Sequence, residues 1–195
     1  MNLKAERLVP GKKDAFYWEH IQRYRFTEKY IKNKYVLDLG CGVGYGTAEL
    51  AKLGAKKVVG VDIDKKAIEY AKTKFKIQSS KFEITDALDL PFPDKTFDVV
   101  VSFEVIEHAR DYKKFIIEAL RVMKPRGYFI FSTPNALQHR AGTSPYHTKE
   151  FTPQDLRQLF PKIQLFGQFY LNKEFLRSES EYFKRYNKLT FGGNK

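Results

Sequence analysis

Apolar residues return along this chain in two alternating rhythms. Short runs dense in Val, Ile and Phe occur at YVLDL (35–39), KVVGV (57–61), KFEIT (81–85), FDVVVSF (97–103) and YFIFST (128–133). Between them lie segments whose apolar positions recur every three or four residues, at 45–52, 65–77 and 112–123. The first rhythm predicts strands and the second amphipathic helices. Five strands separated by helices imply a parallel sheet with crossover helices on both faces, a Rossmann-like, doubly wound α/β fold. A further helix is predicted at 14–34, where aromatic residues and Ile fall at helical spacing ahead of the first strand, placed to cap a pocket.

The punctuation agrees with this alternation. Gly54 closes the first crossover helix, Pro91 and Pro93 mark a loop, and KPRG (124–127) is expected to stop a helix and turn the chain into the fifth strand. Beyond Pro134 a long loop runs to Thr152, an N-cap followed by Pro153 at the first helical position. IQLFGQFY (163–170) reads as a sixth strand, and the chain after Leu171 reads as helical and basic. The whole is one domain: a helical cap at 1–34, a core at 35–170 and a basic tail at 171–195.

Composition adds limits. The chain's 195 residues suit a single core, and every apolar run is broken by charge well short of the twenty residues a membrane span needs. The first residues lack the apolar centre of a secretory signal, and one cysteine, Cys41, cannot form an internal disulfide, so a cytoplasmic location is expected. The net charge of +12 is concentrated at the ends: residues 1–34 hold nine Lys/Arg against four Asp/Glu, and residues 172–195 six against three. Such flanks suit an anionic partner such as nucleic acid, a phosphorylated sugar or a membrane surface, and equally suit solvated helix faces. Either a monomer or a homodimer is compatible with this pattern.

The chemistry begins at VLDLGCGVGYGT (36–47), which sets glycines at 40, 42, 44 and 46 directly after the first strand. In such sheets ligands bind beyond the carboxyl ends of the strands. The spacing fails the dinucleotide pattern, because Tyr45 stands three residues after Gly42, and Asp38 is unwelcome beside phosphate. Asp38 suits a cationic head instead. Asp62, at the end of the second strand, can accept both hydroxyls of a ribose, and Asp86, after the third, an adenine amino group. An adenosine with a cationic, phosphate-free extension fits all three acids, and S-adenosylmethionine has that shape.

Taken in order, these motifs resemble the class I S-adenosylmethionine-dependent methyltransferases from residue 35 to about 167, most closely their ubiquinone-biosynthesis O-methyltransferase branch. The resemblance implies that Asp38, Gly40 and Gly42 hold the methionine moiety, Asp62 and Ile63 the ribose side, Asp86 and Ala87 the adenine, and Phe103 the open side of the cofactor. It also implies that the N-terminal helix, with His20 and Arg23, closes over the cofactor, Arg23 pairing with its carboxylate. Cys41 is given no chemistry. The family usually ends in an antiparallel seventh strand, for which only KLTF (188–191) is available here, so that strand is expected to be short, absent or supplied by a partner chain.

A second centre follows the fourth strand. In EVIEH, Glu104, Glu107 and His108 stand at i, i+3 and i+4, one face of a helical turn, and His147 lies in the loop after the fifth strand. Two carboxylates and two imidazoles suit Mg²⁺, Mn²⁺, Fe²⁺ or Zn²⁺. E-x-x-E-H with a loop histidine is similar to the ubiquinone-type O-methyltransferases and the small-RNA 3′-terminal 2′-O-methyltransferases, which implies a divalent ion, Mg²⁺ or Mn²⁺, that gathers the acceptor oxygens. Without metal, His108 or His147 can take the acceptor's proton, with Glu107 beside them. The expected activity is methyl transfer to an oxygen, or secondarily a nitrogen, of a small molecule or glycan. RNA is the alternative acceptor, and a non-catalytic cofactor-binding module the alternative class.

Overall fold

A computed structural model describes residues 15–137, 144–168, 176–178 and 189–194. The first fourteen residues, positions 138–143, the end of the expected sixth strand and most of the basic tail lie outside the described residues.

The elements in chain order are α1 (Ala15–Phe26), α2 (Glu28–Ile31), β1 (Tyr35–Leu39), α3 (Tyr45–Lys52), β2 (Lys57–Asp62), α4 (Lys65–Lys74), β3 (Ser80–Ile84) and β4 (Phe97–Phe103). A single 3-10 turn (Ile106–His108) follows, then α5 (Tyr112–Val122), β5 (Met123–Ser132), α6 (Pro153–Leu159), β6 (Gln164–Gln168), β7 (Leu176–Ser178) and β8 (Leu189–Asn194). They form one sheet in the order β3-β2-β1-β4-β5-β8-β6-β7. The first five strands are parallel, β8 runs antiparallel to both β5 and β6, and β7 runs antiparallel to β6. The expected doubly wound α/β fold is present.

Strands buried on both faces explain the near-continuous apolar runs. Val36, Val58, Val99 and Val101 pack with Tyr24, Ile31 and Leu50 on one face, while Leu37, Val59, Val61 and Val100 pack with Phe115, Ala119 and Val122 on the other. Caps fix the helix starts. Asp64 accepts hydrogen bonds from the Lys66 and Ala67 amides, Asp111 from the Lys114 amide, and Thr152 forms a reciprocal capping box with Asp155 ahead of Pro153.

Four expectations are corrected. The helix at 14–34 is two helices, because the Thr27 hydroxyl donates to the Tyr24 carbonyl oxygen at 2.6 Å and offers the backbone a local alternative there. The helix at 65–77 ends at Lys74, with Phe75 extended. KPRG does not precede the fifth strand but belongs to it: Met123 already pairs with Phe97, and a register shift absorbs the turn residues. Both described pieces of the tail are strands rather than helix; the segment KLTF does supply the seventh strand, which runs on to six residues as Leu189–Asn194. Its backbone satisfies groups of β5 and β6 that would otherwise lack partners. Among the described residues no helix is long and apolar enough to cross a membrane.

Candidate active site

The glycine loop leaves β1 at the carboxyl end of the parallel strands. The Gly40 and Cys41 amides donate to the Val61 carbonyl oxygen at 2.8 and 2.9 Å, and the Gly42 amide to Asp62 Oδ2 at 2.8 Å, so the loop is tied to the end of the second strand. Asp62 Oδ1 accepts from the Asp64 amide at 2.9 Å. Gly42 has φ +53°, and a Cβ built on it meets nothing within 4 Å. A side chain there would be strained and would fill the open cradle above the loop.

Gly46 is glycine for a different reason: a Cβ there would overlap the ring of Tyr24, which α1 lays against the loop. The Tyr24 hydroxyl donates to Asp38 Oδ1 at 3.2 Å and the Thr47 hydroxyl to Oδ2 at 2.6 Å. Asp38 is fully buried, and burial raises its pKa to about 7, helped by the nearby negative charge of Asp62 and opposed by the two hydroxyl donors. Tyr24 also meets Phe103 edge-on at 4.9 Å between ring centroids, and the Tyr45 hydroxyl bonds His20 Nδ1 at 2.9 Å. Arg23, 1% exposed, reaches Glu104 Oε1 at 3.7 Å.

At the adenine side, Asp86 Oδ1 accepts from the Leu88 amide at 2.9 Å, and Oδ2 accepts from the Arg110 guanidinium, also at 2.9 Å. Ala87 is partly buried nearby, and Ile63 is exposed at the end of β2.

Glu104 and the E-H pair do not share one helical face. Glu104 sits at φ +56°, its amide bonded to the Ser132 carbonyl oxygen at 3.1 Å, so it continues the pairing of β4 with β5, and the 3-10 turn begins two residues later. Its Oε1 accepts from the Ser132 hydroxyl at 2.7 Å and faces Arg23. Glu107 points inward with 1% exposure, and burial, then the Glu104 charge, push its carboxyl well above the ordinary range. His108 faces outward, Nδ1 donating to the Tyr146 carbonyl oxygen at 3.1 Å, and His147 Nδ1 pairs with Glu150 Oε1 at 3.1 Å. The two imidazoles meet edge-on at 4.9 Å, and one ligand atom each from Glu107, His108 and His147 lies within 4.8 Å of the others. The Thr148 amide donates to the Glu107 carbonyl oxygen at 2.7 Å and its hydroxyl to that of Ala109 at 2.7 Å, latching the loop onto the turn. Of the four expected metal ligands, three converge and Glu104 stands apart.

Residues 37–131 match the methyltransferase-domain family. That stretch is a methyltransferase domain, similar to the class I S-adenosylmethionine-dependent enzymes. The chain is 34% identical to a probable S-adenosylmethionine-dependent methyltransferase of Mycolicibacterium smegmatis across 80% of this chain and 62% of that protein, and 37% identical to a ubiquinone biosynthesis O-methyltransferase of Pelagibacter ubique across 58% and 47%. It thus spans about 60% of the length of the mycobacterial relatives it matches. A putative S-adenosylmethionine-dependent methyltransferase from Listeria monocytogenes shares the fold with TM-score 0.69 at 20% identity, covering 90% of this chain and 98% of that one.

Within the methyltransferase domain, sequence reasoning missed four contributors. Thr47 and Tyr24 each had a cue, lying inside the glycine motif and beside Arg23. Glu150 stands three residues after His147, a spacing that brings acid to imidazole. Arg110 had no cue at all, since its pairing with Asp86 spans 24 residues.

Proposed function

We propose that this domain transfers the methyl group of S-adenosylmethionine to a hydroxyl of a small molecule. The observation that carries the reading is the convergence of His108, His147 and Glu107 at the mouth of the sheet, beyond the same strand ends as the glycine loop. The open cradle at Gly42 fits the cofactor's methionine end, with Gly40 beside it, and Arg23, which faces Glu104 at 3.7 Å, is assigned to its carboxylate. Asp62 and Ile63 take the ribose side, Asp86 and Ala87 the adenine, and Phe103 the open side. Asp38, sealed under Tyr24, acts from beneath the loop, holding its shape and lending negative potential to the ammonium.

In the reaction the methyl–sulfur bond breaks, a carbon–oxygen bond forms, the sulfonium becomes a thioether and the acceptor's proton leaves. The cofactor supplies an already activated methyl, so the protein contributes chiefly alignment. His108 and His147, each with Nδ1 held by an acceptor, present Nε2 to the acceptor hydroxyl and its proton. A divalent ion, when bound, would be held by Glu107, His108 and His147 and would supply Lewis-acid polarisation of that oxygen. The residues fit such an ion, since Glu107 Oε2 is buried without a hydrogen-bond partner.

Partial relatives support an oxygen acceptor with an apolar body: by name they include O-methyltransferases of ubiquinone biosynthesis, tocopherol and fatty acids, at 35 to 37% identity, the first two of which suit a phenolic hydroxyl. Tyr146 beside His108 and Leu137 beyond β5 expose apolar surface at the mouth, which suits an aromatic ring or acyl chain. The test supplies labelled S-adenosylmethionine with catechols, hydroxylated lipids, glycans and RNA, using the His147→Ala protein as control. Label in the phenols or lipids, lost on substitution, is expected; label in RNA, or transfer indifferent to His147, overturns the reading.

A further inference from the structure

We propose that the outer edge of β3 and the groove beside it form a docking surface for an acidic, extended segment of a partner protein, which pairs with β3 as a further strand. β3 stands first in the sheet order, and among the described residues no strand lies on its other side. The parallel pairing with β2 decides which of its backbone groups stay open. The Val58 amide donates to the Ser79 carbonyl oxygen, and the Thr85 amide to the Asp62 carbonyl oxygen. Alternation along the strand then turns residues 79, 81, 83 and 85 toward β2 and leaves the amides and carbonyls of Phe82 and Ile84 on the open edge. Such a row of groups is a template for another extended backbone.

The groove sets the chemistry of what can lie there. Its volume is about 580 Å³, and its lining brings Lys72, Phe75 and Lys76 from the end of α4 and beyond against Lys81 and Phe82 of β3. The rings of Phe75 and Phe82 stand 6.4 Å apart between centroids and give it an apolar floor. Lys72, Lys76 and Lys81 are exposed, and none of the three is held in an ion pair among the described residues. A single carboxylate, Glu83, shares the lining with them. The stretch from 65 to 83 holds six lysines against two glutamates.

Charge and backbone together select the occupant. A second copy of this chain would set one lysine-rich edge against another, and like charges placed across a strand pair oppose it. Nucleic acid answers the charge but not the row of backbone donors and acceptors, and Phe82, 5% exposed, offers no open ring for a base to stack on. An extended peptide of alternating acidic and apolar residues answers both. Its backbone meets Phe82 and Ile84, its carboxylates meet the lysines, and its apolar side chains lie over Phe75 and Ile77. None of the lining residues belongs to the candidate active site, so docking here is independent of the methyl acceptor.

The test uses the full chain and a fluorescein-labelled peptide of about seven alternating Glu and Val residues, long enough to span the five residues of β3. Its comparisons are the Lys–Val counterpart, the Glu–Val peptide N-methylated at its central amides, and a single-stranded RNA of equal charge. Saturable binding of the Glu–Val peptide is expected, with hydrogen exchange slowed at the Phe82 and Ile84 amides. N-methylation keeps every charge and removes ladder donors, so it weakens binding by at least about tenfold. Lys76→Glu combined with Lys81→Glu alters two exposed side chains, leaves thermal unfolding nearly unchanged, and weakens binding to a similar extent. The assignment is overturned if the folded protein binds the Glu–Val peptide no better than the Lys–Val one. Equal binding of the N-methylated peptide overturns it as well, leaving only charge attraction. Tighter binding of the RNA that the double lysine variant abolishes makes the groove a nucleic-acid surface instead.

Discussion

Asp38 and Glu107 are both carboxyls at strand ends with almost no exposure, and the fold treats them in opposite ways. Around Asp38 every oxygen is answered by a donor of this chain, Tyr24 on one side and Thr47 on the other. Around Glu107 one oxygen is buried without a partner, and so is Oε2 of Glu150, across His147 from it. A buried polar group left unmatched costs about 1–3 kcal/mol, so its persistence points to a ligand that completes the site. The carboxyl beneath the glycine loop is thus matched by the chain itself and preorganised, whereas the carboxyl beneath the two imidazoles keeps an oxygen for what binds there.

The largest expected effect tests the matched carboxyl. Burial raises the Asp38 pKa from 3.8 to about 7, so folding favours its protonated form. Its stability contribution is then greatest below about pH 4, declines as pH rises toward 7 and is level above. At about 1.4 kcal/mol per unit the decline is at most roughly 4 kcal/mol. Asp38→Asn removes that decline. Denaturant unfolding at pH 4.5 and pH 8 is expected to show the variant gaining on the parent protein as pH rises, and a gap that does not widen would show that Asp38 is not a desolvated acid.

Next comes the cradle. Gly42→Val places a branched side chain at φ +53° in the space assigned to the methionine end. Overpacking of about 3 kcal/mol corresponds to a loss of S-adenosylhomocysteine affinity on the order of 100-fold, measured by calorimetry. Unchanged affinity would move the cofactor off this loop.

The glycine motif, Asp38 and Asp62 at the ends of β1 and β2, and Asp86 after β3 lie on the fold where the sequence puts them, because each belongs to a local strand-to-helix device that needs only its neighbours in sequence. Glu104 was misplaced because i, i+3 and i+4 spacing assumes one continuous helical turn. Its amide instead extends the β4–β5 pairing, a fact that depends on Ser132. The place of the last strand was legible in KLTF, but its length was not, for the same kind of reason. Leu189–Asn194 is strand because β5 and β6 present backbone groups on either side of it, and nothing within LTFGGN announces those partners. Local chemistry is written in the chain, whereas non-local pairing is decided by the assembled sheet.

A smaller effect probes the seal over Asp38. Tyr24→Phe deletes the hydroxyl that donates to Asp38 while keeping the ring against Gly46 and Phe103. A buried hydrogen bond to a carboxyl is worth about 1–3 kcal/mol, so unfolding free energy at pH 8 should fall by that amount. At pH 4.5, where Asp38 is protonated and can itself donate, the loss should shrink. An equal loss at both pH values would place the effect in ring packing instead.

The smallest effect concerns the adenine side of the cofactor site. Arg110 holds Asp86 from a side chain that is 76% exposed, so the pair is worth little to stability. It nevertheless occupies the oxygen assigned to the adenine amino group, and a bound cofactor must share or displace it. Arg110→Gln is therefore expected to leave unfolding unchanged and to tighten S-adenosylhomocysteine binding by about two- to fivefold at low salt, as an exposed pair of under 1 kcal/mol allows. Raising the ionic strength screens the pair in the parent protein and should bring the two affinities together. Weaker binding by the variant at every salt concentration would instead make Arg110 a direct contact of the adenine, and this side would then, like the surroundings of Glu107, be completed by its ligand.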